Sequence, residues 1–164
     1  MAQNTTSDYH LELTGVEGES KAMPNHIDLE SFSFGAHNPA SIGGDGLAAG
    51  KASLSDFTFS CQMEKASYQL LKNLYTGTHI DTATFIGRKT GGGAEPYTYL
   101  KAIMTKCLVT SHSTGGGSQG IPMQHVTLAY EQIEFQYWDQ STDSGSTQLA
   151  GSAAYNVAQV KQTK

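Results

Sequence analysis

The chain of 164 residues is 38% hydrophobic and only 15% charged, contains 18 glycines, and carries a formal net charge of −5. Its length suits one domain with a substantial core. Its acidic balance excludes a partner held by counterion release or by a polybasic patch, so neither nucleic acid nor an anionic membrane is expected. No run of about eighteen apolar residues offers a membrane span. The opening MAQNTTSDYHLEL has neither the basic nor the apolar region of a secretory signal, so export would need another route.

In chain order, Tyr9, Leu11 and Leu13 alternate with His10, Glu12 and Thr14, the period of a half-buried strand. Gly15 and Gly18 punctuate the turn that follows. His26 to Gly35 (HIDLESFSFG) predicts a second strand. Ile27 and Leu29 hold one parity there and Phe32 and Phe34 the other, so a bulge or bend near Ser31 must re-aim the faces. Asn38 to Gly50 (NPASIGGDGLAAG) follows neither period, contains Pro39 and four glycines, and predicts a long loop. Such loops are uncommon in compact domains unless they have a task. The GGDG core resembles a calcium-binding nonapeptide turn, but that motif works as a tandem repeat and occurs here once.

The stretch from Asp56 to Gly77 organises the rest. Phe57, Phe59 and Cys61 alternate with Thr58, Ser60 and Gln62 as a strand. The period then changes: Ala66, Leu70, Leu71 and Leu74 form a helical stripe, with Lys65, Gln69, Lys72 and Asn73 elsewhere. Ser67 is the expected N-cap and Gly77 the expected stop. Thr82 to Lys89 is a strand around Phe85 and Ile86. It is joined through Gly91, Gly92 and Gly93 to a long strand from Tyr97 to His112, as a hairpin. After Gly115, Gly116 and Gly117 the chain returns from Val126 to Trp138, with a phase slip near Glu131. Asp139 to Gly151 is polar and expected to be exposed, and Tyr155, Val157 and Val160 close the chain as a last strand. The pattern is mainly β: seven or so strands joined by glycine turns, with one helix, indicate a small antiparallel barrel or sandwich. Residues 1–164 form a single domain, with 1–7 and 162–164 expected to be flexible.

Chemistry is sparse. Cys61 and Cys107 both fall in predicted strands at no metal-ligand spacing and read as two buried free thiols in a reducing compartment in preference to the alternative, a disulfide. Of the six histidines, none pairs with another at ligand spacing, and His10, His26 and His125 read as surface or rim residues. The glycine runs lack the G-K-[ST] of a phosphate loop, and no G-x-S-x-G elbow occurs. Asp28 and Glu30 share a solvent face of one strand. No catalytic residue, metal site or cofactor is expected, and the tyrosines read as cross-strand packing partners rather than a sugar-binding face. The residues alone describe an acidic β-domain that works through its surfaces.

Several segments in their order resemble one family. These are Gly18-Glu19-Ser20, the strand from Ile27 to Gly35, Asp56-Phe57-Thr58-Phe59, Glu64-Lys65-Ala66-Ser67 opening the helix, and Ala154 to Gln159 near the end. Together they look like the haemolysin-coregulated protein (Hcp) family of the bacterial type VI secretion system, over about Tyr9 to Lys161. Family members often carry tryptophan where Phe34 and Tyr155 stand, and lysine-aspartate where Met63-Glu64 stands.

The resemblance implies a small antiparallel β-barrel of two packed sheets with one flanking α-helix. It also implies a structural, non-enzymatic protein that forms six-membered rings stacked into a hollow tube, which a contracting sheath expels from the cytoplasm without a signal peptide. Its implied partners are other copies of itself, the sheath, the spike and effectors carried in the lumen. A ring needs a heterologous interface, two different patches that meet and close by rotation. Asn38, Ile42, Asp45 and Leu47 in the glycine-rich loop are candidates for subunit or ring contact, with Lys65, Gln69 and Lys72 on the outer helix face as a second set. The competing expectation is a monomeric secreted domain binding a ligand or carbohydrate.

Overall fold

The computed structural model describes residues 6–90, 95–140, 147–158 and 161–162. The elements are β1 (Thr6–Leu13), β2 (Ile27–Leu29), β3 (Ser31–Ser33), β4 (Ala36–His37), β5 (Ser41–Gly43), β6 (Gly46–Ala48), β7 (Ser53–Leu54) and β8 (Phe57–Gln62). Then come α1 (Ala66–Thr76), β9 (Ile80–Thr90), β10 (Tyr97–Gly115), β11 (Met123–Ala129), β12 (Gln132–Gln140), β13 (Thr147–Asn156) and β14 (Lys161–Gln162).

Two antiparallel sheets share β10. Its first half, Leu100 to Thr105, pairs with both β9 and β12, and its second half, Leu108 to Gly115, pairs with β11. Lys106 stands between the halves at φ 52, where the strand turns from one sheet into the other. A second corner lies at Glu30: β2 pairs with β1, whereas β3 pairs with β8. The ladders therefore run β1–β2, across the corner to β3–β8–β11–β10–β9, and back to β1. That circuit is the barrel. Strands β12, β13 and β14 extend it as a wing from β10.

The corners explain the phase slips in the sequence. A strand that leaves one sheet for the other changes which parity points inward. Ile27 and Leu29 are buried before the corner, and Phe32 packs on the core after it. The segment from Val126 to Trp138 is likewise two strands broken at Tyr130 and Glu131. Val126, Leu128 and Tyr130 are buried before the break and Ile133 after it.

Phe57, Phe59 and Phe85 are fully buried and surrounded by Tyr9, Phe32 and Phe34, with the Phe32 and Phe85 ring centroids 4.3 Å apart. Each such ring removed from water stabilises the fold by about 1.5–3 kcal/mol. The helix lies against β10 with Ala66 and Leu70 buried and Leu74 half-buried on the core. Gly77 ends it at φ 64, and the Gly77 N–H donates to the Asn73 carbonyl. Leu71 is only half-buried. Asn73, expected on the outer side, is buried, and its side-chain oxygen accepts from Gln69 Nε2 at 3.1 Å.

The helix start also differs from expectation. Ser67 is not the N-cap: it sits buried inside the first turn, where its hydroxyl accepts from the Glu64 N–H at 2.9 Å. The Lys65 N–H is satisfied instead by the Glu19 carboxylate at 3.0 Å, and the Glu19 N–H points back to Glu64 Oε2 at 3.4 Å. Glu19 thus caps the helix from the turn, a favourable place for a carboxylate. Gly18 permits that approach, because a Cβ there would lie 2.1 Å from the His26 carbonyl oxygen.

Asn38 to Gly50 is not a loop. Gly35 to Ser55 forms an antiparallel arm in which β4 pairs with β7 and β5 with β6, bridged by the Gly50 N–H on the Pro39 carbonyl and the Ser55 N–H on the Gly35 carbonyl. Its turn residues Gly44 and Asp45 precede Gly46 at φ 108, a conformation that suits glycine. Its glycines and Pro39 hide its strand period in the sequence. The polar segment from Asp139 to Gly151 is also partly strand, since Thr147 to Gly151 belongs to β13, paired with β12. Tyr155 is in β13, Val157 follows it in a turn, and Val160 lies outside the described residues. Of the expected flexible ends, Thr6, Ser7 and Gln162 lie in strands, and the rest, like Gly91 to Gly93, lie outside the described residues.

Candidate functional site

The arm carries the longest run of exposed residues among those described. Every residue from Gly35 to Lys51 is exposed, Asn38 and Asp45 included. Ile42 and Leu47 are direct cross-strand partners and leave 87% and 76% of their surface open. Residues directly opposite in an antiparallel pair share a face, so the arm presents an aliphatic pair that the monomer does not bury. Two large aliphatic side chains side by side in water mark a contact surface better than isolated ones do.

The outer helix face carries the second set. Lys65 and Lys72 are exposed, while Gln69 is half-buried and occupied with Asn73. The Lys65 ammonium pairs with the Glu17 carboxylate, which lowers the Glu17 pKa and raises that of Lys65, first through the hydrogen bond and then through charge. Both groups are solvated, so the pair contributes little to stability. Sequence reasoning missed Tyr68 and Tyr75, 65% and 76% exposed. With Lys65 and Lys72 they fall at i, i+3, i+7 and i+10, one continuous outer stripe. Following the polar residues around the helix, rather than the leucines, would have shown it.

A groove of about 620 Å³ lies where the arm leaves the barrel. Phe34, Leu54, Ile133, Phe135 and Ala153 line its apolar wall, and Asn38 and Lys51 stand at its edge. Two hydroxyls hold the arm root against the sheets: Tyr130 donates to the Ser55 carbonyl at 2.7 Å and Tyr155 to the Ala52 carbonyl at 3.2 Å. Burial pushes the Tyr130 hydroxyl up to about 12, so it remains a donor at any physiological pH.

The remaining polar groups are structural. His10, expected at the surface or rim, is buried, because its Nδ1 meets Asp28 Oδ1 across the β1–β2 pair at 2.7 Å. His26 is half-buried with Nδ1 on the Pro24 carbonyl, and His125 is exposed. Cys61 and Cys107 are buried free thiols, raised by desolvation to about 11 and about 12. Gln124, fully buried, bridges the His112 ring at 2.8 Å to the Cys61 sulfur at 3.1 Å. Among the described residues no group of three His, Cys, Asp or Glu side chains is placed to hold a metal.

A family model described as "Type VI secretion system effector, Hcp" matches residues 10–137. The chain belongs to the Hcp family. It is 30% identical to Protein hcp1 of Pseudomonas aeruginosa over 156 residues, covering 93% of this chain and 96% of that one. It superposes on the crystal structure of Hcp1 from Salmonella typhimurium with a TM-score of 0.75 at 26% identity, over 95% of this chain and 98% of that one. A further structure, of a type six secretion system protein, shares the fold with a TM-score of 0.87 at 23% identity, over 96% and 100% of the two chains. Hcp is a secreted structural protein of the type VI system, and the features above are those of an Hcp with an exposed arm.

In this Hcp the sequence-picked residues fall into two separate groups. Ile42, Asp45 and Leu47 gather at the arm tip, with Asn38 nearer its root beside the groove. Lys65 and Lys72 share a stripe on α1, and Gln69 points partly inward to Asn73. No helix of the described residues is long and apolar enough to cross a membrane.

Proposed function

We propose that this Hcp chain closes into six-membered rings that stack as a hollow tube, assembled in the cytoplasm and expelled by a contracting sheath behind a spike, with small effectors carried in the lumen. The observation that carries the reading is the arm: seventeen consecutive exposed residues ending in an unburied Ile42–Leu47 pair. An isolated two-stranded ribbon is marginal in water, so its apolar tip gains most by seating on another copy. The outer stripe of α1 is a different patch, as a ring requires for heterologous contacts that close by rotation. The wing of β12 to β14 ends the strand order and so supplies a sheet edge suited to pairing with a neighbour.

Removing Ile42 to Ala48 tests the arm. Those residues are all exposed, so the shortened chain is expected to keep its melting temperature while losing ring or stack formation in negative-stain images. Wild-type rings and tubes from the shortened chain would contradict the role given to the arm.

A further inference from the structure

We infer that the groove at the arm root is the receptor for the arm tip of an adjacent copy, with Ile42 and Leu47 against its apolar wall and Asp45 beside Lys51. The inference rests on the ring reading and names the contact that reading leaves open.

Three observations point to this occupant. The groove has the volume of a small-molecule site, but a ligand needs converging polar groups to orient it. Here both wall hydroxyls, Tyr130 and Tyr155, already donate to arm-root carbonyls. What the groove offers is apolar wall, so its occupant is apolar. Second, the chain displays a matching knob: two aliphatic side chains on one face of a hairpin tip, 87% and 76% exposed. Third, the charges are complementary. Asp45 is at the tip and Lys51 at the groove edge, both exposed, and neither has an ion-pair partner among the described residues.

Knob and groove sit at opposite ends of the same arm. A copy that inserts its tip into a neighbour therefore leaves its own groove open for the next, which is a head-to-tail contact that propagates around a ring or along a stack. The arm root also forms part of the groove, so a filled groove is braced against the root of the receiving arm.

The test is cross-linking in the full-length protein. Ile42→Cys and Ala153→Cys are made in separate chains; both positions are exposed, so neither change disturbs the core. The native thiols are buried and stay out of reach. Mixed and oxidised with diamide, the two chains are expected to give a covalent dimer. Adding Leu47→Asp to the Ile42→Cys chain should cut the yield about tenfold or more, the cost of placing a charge on the apolar wall. A control pair of Ile42→Cys with Ser111→Cys, exposed on the other sheet, should give none. If the wild type forms rings but the Ile42–Ala153 pair links no better than the control, the groove assignment is overturned and the ring reading survives. If the wild type is monomeric at high concentration, both fall.

Discussion

Gly18 and its neighbours determine how the helix is held. A Cβ at Gly18 would meet backbone, not a yielding side chain, at 2.1 Å. Gly18→Ala is therefore expected to cost about 2–3 kcal/mol, typical of forced overpacking, read as a lowered urea midpoint. A midpoint equal to wild type would contradict the close approach. Glu64 behaves differently. Burial first, then the charges of Glu19 and Asp28, raises its pKa above the ordinary 4.5. A carboxyl raised in the folded state binds its proton more readily there than in the unfolded chain, so its contribution to stability falls as pH rises from about 4.5 through the folded value. Glu64→Gln keeps an oxygen for the Glu19 N–H and removes the charge. Relative to wild type it should gain stability between pH 4 and pH 7 in urea titrations; a variant that loses ground over that range would contradict this account. The Glu17–Lys65 pair has the opposite sign on its acid side, since the lowered Glu17 contributes above pH 4.5 and is lost on acidification. The residue scale was only partly legible in the sequence. Gly18 and Glu19 stood out as a motif, but that Glu19 would cap a helix 46 positions away is a tertiary fact. It displaced Ser67, the local candidate.

At the scale of elements, the helix divides core from surface. Leu70 is fully buried, so Leu70→Ala should cost about 2–5 kcal/mol, and Leu70→Asp, which buries a charge, should prevent folding. Tyr68→Ser and Tyr75→Ser, on the outer stripe, should move the melting temperature hardly at all, within about 0.5 kcal/mol. If they destabilise as Leu70→Ala does, the outer stripe is misassigned. Strand periods were readable where one face of a strand is buried in the core, as in Phe57, Phe59 and Cys61 of β8. They were ambiguous at the corners: a single sequence shows the phase slips at Ser31 and Glu131 but not that each is a crossing between sheets. The arm was illegible for another reason. From Asn38 to Gly50 every residue is exposed in the monomer, so no inward face imprints an alternating pattern there, and glycines interrupt what period remains.

For the whole molecule, a barrel closed through two corners leaves the arm, the wing and the outer face of α1 as the parts free to meet other chains. The buried thiols should not interfere: with values near 11 and 12, Cys61 and Cys107 are expected to resist a thiol reagent at pH 8 in the native state and to react once unfolded. Prompt native labelling would place them nearer the surface than they lie here. The central claim is that this Hcp works as an assembly. Light scattering of the purified chain, backed by negative-stain images, tests it most directly. Six chains of 17.5 kDa predict particles of about 105 kDa with an annular outline; a 17.5 kDa monomer persisting at high concentration, with no rings in the images, would contradict it.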